Sequence, residues 1–131
     1  MLDRPAPTPT EIVSKLRAER EGLLYEISPY LVEVVLELGV SVRARPGCRS
    51  RVIRGRGCPV GGEHAAPGAR DAVVWWIGRD RRAQWRCGFC GASGDLLDAM
   101  ALVYGLGARR DLARVVVLAR ALVMRLRRRR G

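Results

Sequence analysis

Aromatic side chains are scarce in this 131-residue chain, at 5%, with a single phenylalanine, Phe89, three tyrosines and three tryptophans. So few large rings leave most of the core to aliphatic side chains and make every tryptophan a packing residue by default. No apolar run approaches the roughly 20 residues of a bilayer-spanning helix. The nearest candidate, residues 115–124, is broken by Arg120. The first residues carry Asp3, Arg4 and three prolines where a secretory signal would have an apolar core. These absences predict a cytoplasmic protein without membrane association. In a reducing compartment four cysteines do not read as a disulfide framework, so they point to metal or redox chemistry.

Acidic residues are also few. Lys and Arg total 24 against 13 Asp and Glu, a formal net charge of +11 with a pI near 11.1. That balance favours a polyanionic partner, with nucleic acid first. Lys15 is the only lysine; a GC-rich genome explains arginine in place of lysine but not the cationic surplus.

The pattern predicts an α+β chain of one compact domain, too short to add a polymerising domain. Residues 1–28 read as an N-terminal extension with a helix from Thr10 to about Tyr25, residues 29–126 as the domain proper, and residues 127–131 as a basic tail. Leu31, Val34, Val35 and Leu38 fall at helical spacing before Gly39. Val40, Val42 and Ala44 alternate as a strand, paired with residues 51–54 across the Pro46-Gly47 turn. Residues 72–77 form a strongly β-favouring run, and a polar turn returns the chain through residues 83–87. Asp95 opens a helix carrying Leu96, Leu97, Met100 and Val103. The last helix, from about Ala108, places Leu112, Val115, Val116, Ala119, Leu122, Val123 and Leu126 on one stripe.

Cys87 and Cys90, two apart on a tight turn with Gly88 and Gly91 beside them, supply half of a tetrahedral zinc site. A thioredoxin-like reading fails because a hairpin precedes the pair, and residues 91–94 separate it from the next helix. The other half comes from Cys58, His64 or Cys48. Cys58 and His64 share one Gly-rich loop, which favours that pair and leaves Cys48 as the competitor. Arg51, Arg54, Arg56, Arg79, Arg81, Arg82 and Arg86 lie on or beside the strands, with Trp75, Trp76, Trp85 and Phe89 among them. Arginines interleaved with exposed aromatics suit single-stranded nucleic acid, phosphates at the guanidiniums and bases on the rings. Of Trp75 and Trp76, adjacent on one strand, at most one faces solvent.

Gly57-Cys58-Pro59, then His64, then residues 85–95 (WRCGFCGASGD) resemble the zinc-binding domain of DnaG-type primases. Trp85 two before the first knuckle cysteine, Gly88 and Gly91 around the pair, and Gly94-Asp95 opening a helix carry the likeness. Five residues separate Cys58 from His64 where the family usually has two, which requires an enlarged loop. The Thr-Pro-Ser-Phe type segment expected after the histidine is only faintly echoed by Ala66-Pro67-Gly68. The resemblance implies an antiparallel zinc ribbon flanked by helices, one structural zinc on Cys58, His64, Cys87 and Cys90, and single-stranded DNA template as ligand. It also implies work in primer synthesis with a catalytic primase subunit or replicative helicase acting in trans. Asp95 and Asp98 read as charges at a helix N-terminus, and no carboxylate cluster for catalytic metals stands out, so primer synthesis by this chain alone is not expected. The alternative from another class is a zinc-stabilised interaction or regulatory module whose apolar last helix docks a partner.

Overall fold

A computed structural model describes residues 5–63 and 71–130. Its elements run α1 (Pro9–Ile27), α2 (Leu31–Glu37), β1 (Val52–Gly55), β2 (Gly57–Cys58), β3 (Gly62–Glu63), β4 (Val73–Ile77), β5 (Ala83–Cys87), β6 (Ser93–Asp95), α3 (Leu96–Val103) and α4 (Leu112–Arg130). A 3-10 turn, Ser28–Tyr30, joins α1 to α2. The chain is α+β, with helices on both sides in sequence of a four-stranded antiparallel sheet ordered β1-β4-β5-β6 and a small β2-β3 ladder. No helix among the described residues is long and apolar enough to cross a membrane.

The helices start where local chemistry lets them. Thr8 accepts the Glu11 amide proton at the N-terminus of α1, with Pro9 in the first turn. Asp95 and Asp98 form a reciprocal capping box on α3, each carboxylate accepting the other residue's amide proton at 2.8 and 2.9 Å. All seven residues of the expected α4 stripe are buried, from Leu112 through Leu126. Residues 1–28 were expected as an extension, but α1 belongs to the body: Leu23, Leu24 and Ile27 are core, and α1 packs against α4. Ion pairs Glu19–Arg120 and Glu26–Arg127 fall seven residues apart on each helix, so the two run in the same direction. Residues 127–130, expected as a loose tail, are the last turn of α4.

Sheet register decides which side chains face the helices. Ile53, Trp75 and Trp85 lie opposite one another across β1, β4 and β5, and all are buried. The two indoles meet with ring centroids 5.9 Å apart at 34°, a tilted contact that fills the sheet-helix interface. Buried Ser28 fastens the end of α1 to the hairpin: its hydroxyl donates to Leu24 O at 2.6 Å and accepts the Ala83 amide proton at 2.8 Å.

Residues 40–44 do not form the expected strand. They meet β1 and β2 at two points, Arg43 N–H to Arg54 O at 2.8 Å and Gly57 N–H to Ser41 O at 2.9 Å. Four residues on one side, 54–57, face three on the other, 41–43, and this excess of one interrupts the ladder as a β-bulge does. The approach is close: a Cβ on Gly55 would lie 2.2 Å from Ser41 O, and one on Gly57 2.5 Å from Ser41 N.

Candidate functional site

Two tight turns meet at one end of the sheet. The first joins β2 to β3 and presents Cys58; the second leaves β5 at Cys87 and carries Cys90. The second turn is held by its own backbone: Gly91 N–H donates to Cys87 O at 2.9 Å, Cys87 N–H to Ala92 O at 2.8 Å, and Cys90 N–H to Cys87 Sγ at 3.5 Å. Gly91 has φ +78°, a left-handed conformation that glycine enters without a Cβ clash. Gly88 N–H donates to Ala72 O at 2.8 Å, tying the turn to the start of β4.

The three sulfurs of Cys58, Cys87 and Cys90 lie within 4.8 Å of one another, with Cys58 Sγ 3.8 Å from Cys90 Sγ. A disulfide needs sulfurs about 2.05 Å apart, so this is no bridge. Metal–sulfur bonds of about 2.3 Å in a tetrahedron give an edge of about 3.8 Å, which the observed spacing matches. The cluster can hold a metal ion. Cys58 and Cys87 are buried and Cys90 is exposed. Burial pushes the Cys58 thiol above its usual value, whereas the backbone hydrogen bond from Ala92 holds the Cys90 thiol below it. Cys48 stands apart from the three, half-buried in a small hollow with Pro29, Leu31, Val32 and Ile77. His64, the expected fourth ligand, lies outside the described residues.

The outward face of the sheet carries the second feature. Arg54, Val74, Arg86 and Ser93 form one cross-strand row; Val52, Trp76, Gln84 and Asp95 form the next. Arg54 and Arg86 therefore stand two strand spacings apart, about 10 Å, beside the partly exposed Trp76. A cleft of about 460 Å³ opens along β5 and β6, lined by Trp76, Asp80, Arg82, Gln84, Arg86 and Asp95 among others. Residues 43–91 hold 11 arginines against three acids, and residues 92–131 a further nine against three, so the cationic surplus is shared between the sheet and the C-terminal helices.

The expected nucleic-acid residues divide. Arg51, Arg54, Arg56, Arg79, Arg81 and Arg86 are exposed and make no salt bridge among the described residues; Phe89 is also exposed, at 49%. Arg82 is partly committed, paired with Glu21 at 2.9 Å and near Asp95 at 3.9 Å. Trp85 was expected among the solvent-facing aromatics but is 1% exposed, because it lies two residues from buried Cys87 on one strand and shares its inward side. Trp75 is inside as well, so Trp76 is the tryptophan that faces out. The sequence leaves open which of Trp75 and Trp76 faces out and does not single out Gln84, although the same alternation, counted from Cys87 across the hairpin, points to Trp76 and Gln84.

Asp95 and Asp98 are engaged structurally. Arg20 donates to both oxygens of Asp95 at 2.9 Å and to Asp98 at 3.0 Å, locking α1 onto the start of α3. Burial is the largest influence on the Asp98 carboxyl and raises it above the usual range. Comparison of the chain with protein-family models, with curated proteins and with solved structures finds no match.

Proposed function

We propose that this chain is a single-stranded nucleic-acid-binding domain stapled by one structural zinc, working at a replication template beside a catalytic partner. That last role is what its resemblance to primase zinc-binding domains implies. The outward sheet face carries the reading: one accessible indole, Trp76, next to two arginines, Arg54 and Arg86, that have no carboxylate partner among the described residues. An indole offers a stacking surface to any base, and flanking guanidiniums hold the phosphates on either side. Such a face favours a single strand, whose bases are free to stack, over a duplex, whose bases are not.

Zinc fits the sulfur geometry, with His64 as fourth ligand in this reading. Its work is mechanical. Strands of two residues cannot hold β2-β3 in place alone, and a metal shared with the β5-β6 turn fixes both. A closed set of four protein ligands leaves no position for a reacting water, so this centre organises the sheet.

Binding of an oligothymidylate to the Trp76→Ala variant tests the reading. Stacking contributes about 1–3 kcal/mol per base, so affinity should fall by roughly five- to 150-fold while weak duplex binding stays level. Equal loss for both, or no loss, rejects a stacking platform at Trp76.

A further inference from the structure

The last helix has two apolar stripes. The first, expected from the sequence as a docking face, is consumed by the core. The second faces solvent: Val117 is 58% exposed and Met124 56%, with Ala121 between them. Arg114 and Arg128 continue the same line at its two ends. Both are exposed, and neither makes a salt bridge among the described residues. Positions 114, 117, 121, 124 and 128 alternate steps of three and four, the spacing of a coiled-coil seam. Beside Val117 the seam opens into an apolar dimple formed with Leu106, Ala113, Arg114 and Leu118, and Leu118 connects onward to exposed Tyr104 at the end of α3.

We propose that this seam receives an amphipathic helix of a partner protein, bearing an apolar line with carboxylates at both ends. Charge complementarity selects that occupant. The two guanidiniums stand about four turns apart, about 21 Å at the rise of an α-helix, and bracket the apolar residues. A second copy of this chain fits badly. Pairing α4 with itself sets arginine against arginine at both ends, whether the helices run parallel or antiparallel. A helix with acidic ends neutralises both arginines while covering Val117 and Met124.

The test uses two synthetic amphipathic helical peptides with the same leucine seam, one ended in glutamates and the other in lysines. The full chain should bind the acidic-ended peptide and bind the lysine-ended one at least about tenfold more weakly. Arg114→Glu with Arg128→Glu should reverse that preference, and Val117→Ser with Met124→Ser should abolish binding of both. The charge variants alter exposed side chains, and unchanged thermal unfolding shows that the fold is intact, so they decide the matter even if the serine variants unfold. Binding of neither peptide, or no reversal with the charge variants, overturns the proposal. So does a dimer of the chain, or anionic-vesicle binding in preference to the acidic peptide, that is lost in the serine variants; these would assign the seam to a second copy or to a lipid surface.

Discussion

At the scale of single residues, the metal cluster separates three cysteines from the fourth. Cys58→Ser or Cys87→Ser should abolish metal retention and unfold much of the sheet, since structural zinc contributes on the order of 10 kcal/mol in small domains. Cys48→Ala should keep the metal, because its hollow against Pro29 and Ile77 is distinct from the sulfur cluster. Elemental analysis with thermal unfolding measures both, and His64→Ala in the same series should lower metal retention. Loss of metal from the Cys48 variant with retention in the His64 variant would move the fourth ligand to Cys48. Ser28 makes a prediction of another kind. Its hydroxyl is the acceptor for the buried Ala83 amide, so Ser28→Ala should cost about 1–3 kcal/mol by leaving that donor unpaired. Denaturant unfolding with no change would show that the Ala83 amide finds another partner. The knuckle cysteines were legible because spacing and glycines encode a local turn. Trp85 was not read correctly because its side of the sheet follows from its parity with Cys87, a relation set by burial.

Elements were legible where one periodicity ran long enough. The α4 stripe needed only the i, i+3, i+4 pattern, and the β4-β5 hairpin announced itself by a β-rich run, a polar turn and a return. Val103, placed on the apolar stripe of α3, is instead exposed near the helix end, while Ala99 and Ala101 enter the core. Residues 40–44 alternate as a strand should, yet the one-residue excess around Arg56 breaks their ladder with β1 and β2. That excess depends on tertiary pairing and leaves no periodic trace. The close approach it produces is testable: Gly55→Ala places a methyl against the Ser41 carbonyl and should destabilise the chain by about 1–3 kcal/mol, read from denaturant midpoints. A neutral Gly55→Ala would mean that the 41–43 segment moves away at little cost.

Across the whole molecule, charge is divided unevenly. On the helical side, Arg20, Arg120, Arg125, Arg127 and Arg129 are engaged by carboxylates, while Arg114 and Arg128 of the α4 seam make no salt bridge among the described residues. On the sheet side, Arg43 and Arg82 pair with Asp71 and Glu21, but Arg51, Arg54, Arg56, Arg79, Arg81 and Arg86 have no such partner among the described residues. A basic composition is visible in the sequence; its segregation requires the fold, because acids of α1 and α2 pair with arginines about a hundred positions away. In the proposed function the sheet face is the one that follows a nucleic-acid backbone. The most direct measurement is the salt dependence of oligothymidylate affinity for the native chain and for Arg54→Ala with Arg86→Ala. Each phosphate neutralised adds roughly 0.7 to the slope of log affinity against log salt for single strands, so the double variant should bind more weakly with a slope lower by about 1.4. An unchanged affinity and slope in that variant would contradict a nucleic-acid-binding sheet.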